Sequence, residues 1–82
     1  MIEHNTDKKT FSTTVDGYTA FICYQIEDGK LDVLTTQVPK AISGRGIASE
    51  LMKECASFVK EQSLSFKEEQ SCSYAKAWLE RH

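Results

Sequence analysis

The hydrophobic period of this chain changes once, and that change limits what it can fold into. Up to Val38 apolar residues recur at every second position, and from Ile47 they recur every three or four. Pro39 closes the first regime, because it has no N–H to give to a strand ladder. Gly44-Arg45-Gly46 precedes the second. A β-rich half therefore feeds a glycine-containing loop that opens a helix. Free N–H groups and the positive end of the helix macrodipole make such a junction an anion site. A tight turn alone would use the same glycines, so the surrounding residues must decide between the two.

In the first half, residues 1–8 are polar and are expected to fray. Phe11, Thr13 and Val15 then alternate with polar neighbours, the period of a half-buried strand. Asp16-Gly17 is a hairpin-type turn. Tyr18 to Ile26 forms the strongest strand, with Ala20, Ile22, Tyr24 and Ile26 on one face and Phe21 and Cys23 on the other. A strand apolar on both faces is expected at the centre of a sheet, covered above and below. Asp28-Gly29 makes a second tight turn, and Leu31, Val33, Leu34, Thr36 and Val38 give a third run. Residues 9–38 thus read as an antiparallel meander.

In the second half, Ile47, Ala48, Leu51, Met52, Cys55, Phe58 and Val59 fall on one helical stripe, which predicts a core-facing helix ending near Gln62-Ser63. Leu64-Ser65-Phe66 begins a short strand that turns charged at Lys67-Glu68-Glu69. Ser71 or Ser73 is placed to cap a final helix. Tyr74, Ala75, Trp78 and Leu79 share one side of it. The order βββαβα is an α+β fold, a mostly antiparallel sheet with helices packed on it. At 82 residues the chain is expected to be a single domain, 1–82.

Composition narrows the function classes. Forty per cent apolar residues and one proline fit a packed globular fold. A net charge of −2 gives no basic stripe, so a dedicated nucleic-acid binder is not expected. No apolar run approaches the roughly 18–20 residues of a membrane span. Met1 to Asn5 does not begin like a signal peptide. Cys23, Cys55 and Cys72 form no CxxC pair and no zinc set, which points to reduced thiols in a cytoplasmic protein without a metal. His4 and His82 lie at opposite ends and suggest no shared site.

Three phosphate-loop readings compete for Gly44-Arg45-Gly46. A P-loop needs a second glycine five residues on, followed by Lys and Ser or Thr, and that pattern is absent. A dinucleotide fingerprint needs glycine or alanine where Ser49 stands, and a further strand–helix unit. The pyrophosphate loop of an acetyl-coenzyme A enzyme fits a strand ending in Val-Pro that leads to Gly-x-Gly-x-Ala. Absent Cβ atoms let backbone approach a diphosphate, and Arg45 supplies charge beside the helix start.

Gln37-Val38-Pro39, Gly44-Arg45-Gly46-Ile47-Ala48, Leu51 and Cys72-Ser73-Tyr74-Ala75-Lys76, in that order and ending in Leu79-Glu80-Arg81-His82, resemble the small, minimal GNAT-type N-acetyltransferases. The resemblance runs from about Tyr18 to the C-terminus. It implies a truncated GNAT-like fold that binds acetyl-coenzyme A as co-substrate and acts as an acyltransferase toward an amine, either a small molecule or a protein lysine. It implies that the backbone around Gln37, Val38 and Pro39 pairs with the pantetheine arm. The amides of Gly44, Arg45, Gly46, Ile47 and Ala48 would hold the diphosphate. Lys76 and Lys40 are candidate phosphate contacts. By the same resemblance Cys72 lies near the thioester, as a nucleophile or as a partner of the departing thiolate. A position at a helix start favours anionic sulfur. Tyr74, two residues on, is a candidate general acid. Cys23, Cys55 and Trp78 read as core.

The chain departs from the family pattern at three places. Thr35-Thr36-Gln37 stands where His-Thr and an acidic residue are usual, so an imidazole and a carboxylate are both missing. Ala41 stands where Arg or Gln is preferred, and Phe66 to Ser71 replaces an apolar strand. These changes support an alternative function, a catalytically impaired acetyl-coenzyme A-binding or protein-interaction module.

Overall fold

A computed structural model describes residues 2–81. The elements are β1 (Glu3–Asn5), β2 (Thr10–Val15), β3 (Tyr18–Glu27), β4 (Lys30–Gln37), α1 (Ile47–Glu61), β5 (Ser65–Phe66) and α2 (Ser73–Arg81). They build one five-stranded sheet in the order β1-β2-β3-β4-β5. The first four strands are antiparallel. Short turns suffice to join them. In both Asp-Gly turns each residue has positive φ, 51° and 79° at Asp16-Gly17 and 53° and 74° at Asp28-Gly29, the twist that tight hairpins need. β5 runs parallel to β4, because α1 carries the chain back before it pairs.

β3 is central, as its two-sided apolar pattern predicts. Its faces are not equal, however. Ala20, Ile22 and Tyr24 join Phe11, Leu31 and Val33 in one core with Leu51, Met52, Cys55 and Val59 of α1 and Ala75 and Trp78 of α2. The Trp78 indole N–H donates to Ser49 Oγ of α1 at 3.0 Å, so both helices lie on the same side. Phe21 and Cys23, on the other side, are only half-buried. The expected cover on both faces is therefore replaced by cover on one.

The segment expected to fray contains β1. His4 pairs with Phe11, and its ring stacks on Phe11 with centroids 3.9 Å apart. His4 Nε2 lies 2.6 Å from the Tyr24 hydroxyl, and the ring meets Phe58 of α1 edge-on at 4.5 Å. One inward aromatic side chain thus ties a polar strand to the core. His82 lies outside the described residues.

The register of β4 against β3 contains a bulge. Tyr24 pairs with Val33 and Cys23 with Thr35, which leaves Leu34 without a partner and 41% exposed. Side chains alternate across a strand, so one extra residue exchanges the faces of all that follow. Thr36 lies opposite Ile22, on the helix-covered face, and Thr35 and Gln37 lie opposite Cys23 and Phe21, on the open one. Without the bulge Thr35 would lie inward and Thr36 outward.

Candidate functional site: a cleft between the loop before the first helix and the start of the second

After β4 the backbone of Pro39 leads into a single 3₁₀ turn, Lys40–Ile42, and Ile42 is buried in the core. This anchor fixes the loop from below. Ser43 Oγ donates to the Lys40 carbonyl at 2.9 Å. Gly44 and Gly46 both take positive φ, 80° and 75°, and Gly46 is the N-cap of α1. A glycine cap brings no side-chain acceptor, so none satisfies the first-turn amides. No atom lies within 4 Å of where a Cβ would stand on either glycine. Exposed donors at the positive end of a 15-residue helix, with open space before them, suit an anionic group.

A cleft of about 270 Å³ opens there, lined by Val38, Ser43, Gly44, Gly46, Ile47, Ala48, Ser49 and Tyr74. Its far wall is the start of α2. The Cys72 carbonyl accepts from the Lys76 N–H at 3.1 Å, so Cys72 itself occupies the N-cap. The expected serine cap is therefore not used: Ser71 donates its hydroxyl and its N–H to the Asp32 carboxylate, at 2.6 and 2.7 Å. Cys72 N–H donates to the Val33 carbonyl at 2.9 Å, and its Sγ lies 3.2 Å from Thr36 Oγ1. The bulge brings Thr36 inward to make this contact. Beyond Val33 the chain after β5 leaves β4, and the alternation of the ladder turns the backbone groups of Thr36 and Val38 away from β3.

A family model described as GCN5-related N-acetyl-transferase matches residues 10–82. The chain belongs to the GCN5-related N-acetyltransferase family. It is 32% identical over 84 residues to Protein NATD1 of Xenopus tropicalis, covering 99% of this chain and 75% of that protein. It is 31% identical to Protein NATD1 of Mus musculus and 30% identical to that of Homo sapiens, over 99% of this chain and 74% and 73% of theirs. No solved structure gives a significant match. The mostly antiparallel sheet with packed helices agrees with the fold that the sequence resemblance implies.

In this GCN5-related N-acetyltransferase the candidate residues separate into three groups. Val38, Gly44, Gly46, Ile47, Ala48 and Tyr74 share the cleft, with the Ile47 side chain itself buried. Pro39 and Cys72 flank it, and both are half-buried. Gln37, Arg45 and Lys76 are turned elsewhere. Gln37 Nε2 donates to Thr35 Oγ1 at 3.3 Å on the open face. Arg45 Nη1 donates to Asp16 at 2.6 Å. Lys76 pairs with Glu69 at 3.4 Å and borders a different depression, beside Phe66 and Leu79.

The sequence reading missed Ser49, Thr36 and Ile42. Ser49 lies on the helical stripe's polar border, which gives no hint that it faces a cleft. Thr36 depends on the bulge, which no local signal marks. Cys55 is buried, and burial pushes its thiol up to about 12, in keeping with a core role. Among the described residues no group of three or more His, Cys, Asp or Glu could hold a metal, and no helix is long and apolar enough to cross a membrane.

Proposed function

We propose that this domain binds acetyl-coenzyme A in the cleft and transfers the acetyl group to an amine, a small molecule or a protein lysine. The observation that supports this most strongly is the convergence of Val38, both loop glycines, the first turn of α1 and Tyr74 on one cavity. The Gly46, Ile47 and Ala48 amides would hold the diphosphate, and the outward backbone of Val38 would pair with the pantetheine arm. In the reaction the amine nitrogen attacks the thioester carbonyl carbon, whose oxygen is polarised by backbone N–H groups near Val38. A C–N bond forms, the C–S bond breaks, and the amine releases its proton to water. The departing thiolate takes a proton from Tyr74, which water restores. Three free cysteines fit a reducing compartment, and we place the protein in the cytoplasm.

Transfer through Cys72 is a variant of this route, in which Sγ accepts the acetyl group before the amine does. It predicts an adduct of about 42 Da on Cys72 after mixing with acetyl-coenzyme A, absent in Cys72→Ala. If no adduct forms and Cys72→Ala turns over normally, the variant is excluded.

The second reading is a module that binds the cofactor without turnover. It draws on Thr35 and Gln37, which replace the family's imidazole and carboxylate and both lie on the face opposite the cleft. A ¹H–¹⁵N titration with acetyl-coenzyme A tests what the readings share: shifts should concentrate at Val38, residues 44–48 and 72–74. Their absence would sink both. Release of free thiol in the presence of an amine panel then separates enzyme from module.

A further inference from the structure

Arg45 stands between the two positive-φ glycines, yet it is not among the residues lining the cleft. Its guanidinium reaches instead to Asp16 Oδ2, 29 residues away in sequence. Asp16 belongs to the β2–β3 turn, where it and Gly17 both take positive φ, so the carboxylate is carried on a tightly specified hairpin end. The loop has little else at this point to hold it. Both glycines are conformationally permissive and have no packing neighbour near the Cβ position. The helix start lacks a side-chain cap.

We propose that Asp16 is a positioning residue for the anion-binding loop. Through Arg45 it ties the Gly44–Gly46 backbone to the β2–β3 turn and keeps the first-turn amides of α1 directed at the cleft before any ligand arrives. Preorganisation of this kind raises affinity by removing the ordering cost at binding. The inference rests on the reading of the cleft as a diphosphate site. A rival arrangement has the opposite sign: if Arg45 swings over to meet phosphate directly, Asp16 competes with the ligand, and removing its charge tightens binding.

The pair is half-exposed, 50% at Arg45 and 65% at Asp16, so its effect is modest. An exposed ion pair supplies roughly a two- to fivefold change in a binding constant. Asp16→Asn is the informative variant, because asparagine tolerates positive φ and leaves the turn intact.

The experiment is calorimetric titration of the full chain with coenzyme A and, separately, with inorganic pyrophosphate, for wild type, Asp16→Asn, Arg45→Gln, Arg45→Lys and the Asp16→Asn/Arg45→Gln double variant. The tether predicts that Asp16→Asn weakens coenzyme A binding roughly two- to fivefold, that Arg45→Gln weakens it by a similar factor, and that the double variant is no worse than either. Arg45→Lys should recover most of the affinity. In the free protein, amide exchange at Arg45, Gly46 and Ile47 should quicken in Asp16→Asn while the thermal midpoint stays put. Unchanged or tighter binding by Asp16→Asn, with a large loss in Arg45→Gln, would overturn the tether and make Arg45 a direct ligand. No binding of coenzyme A by wild type would instead remove the diphosphate reading and the tether with it.

Discussion

Gln70 sits at the end of a run, Lys67-Glu68-Glu69, that reads as solvated charge, yet it is buried against the edge of β4. Its Oε1 accepts the Val33 N–H at 2.7 Å, and its Nε2 donates to the Leu31 and Lys67 carbonyls at 3.0 and 2.7 Å. A primary amide here takes the part of a peptide unit and bridges the gap where β5 has already ended. Gln70→Ala should cost about 1–3 kcal/mol, because it leaves a buried N–H unpaired. Urea denaturation measures it, and a loss well below that range would mean that water replaces the amide freely. Nothing in the sequence marks Gln70, since a satisfied buried amide and an exposed one are written alike. The same holds for Asp32, whose partner Ser71 lies 39 residues away. Gly46 was legible, because the conformation it adopts is one that few other residues accept.

The elements that could be read were those whose signals are local. Both Asp-Gly turns, the limits of α1 and the short β5 follow from neighbouring residues, and each stands where the pattern puts it. β1 could not be read this way, because its only inward aromatic is His4, and a lone histidine in a polar run carries no period. The contact has a measurable signature. Burial holds His4 below its ordinary value of 6.5. The unfolded chain therefore binds the proton more readily than the folded one, and this contribution to stability is complete above about pH 6.5 and lost as pH falls through the lowered value. Wild type should lose stability from about pH 7 to about pH 5 more steeply than His4→Phe, which keeps a ring on Phe11 but cannot titrate. Equal slopes in urea midpoints across that range would show that His4 remains solvated.

At the scale of the molecule, the number of helices was legible but not the side they take. The apolar stripe of α1 and the apolar face of α2 each ask for a sheet, and the two-sided β3 offers one on either side. The choice is made by contacts far apart in sequence, among them Trp78 to Ser49 and Cys72 to Val33 and Thr36. A single core beneath both helices predicts one cooperative transition, so Trp78 fluorescence and far-UV circular dichroism should report the same midpoint. Separate midpoints would show that α2 detaches first.

The unpaired Leu34 gives this site an unusual kind of fragility. What places Thr36 and Val38 under the helices is a matter of counting: the ribbon is out of step with its neighbour by one residue, and everything downstream keeps that phase. Substitution leaves the count alone, so Leu34→Thr, at an exposed position, should stay within about 0.5 kcal/mol of wild type. Deletion of Leu34 restores the step and turns Thr35 and Gln37 inward in place of Thr36 and Val38. The shortened chain should lose both the Cys72–Thr36 contact and the cleft wall, visible as wholesale shift changes over residues 35–48 and 72–74 of its ¹H–¹⁵N spectrum. In a strand of this kind an insertion or loss of one codon is the severe change, and the identity of the extra residue is nearly free to drift.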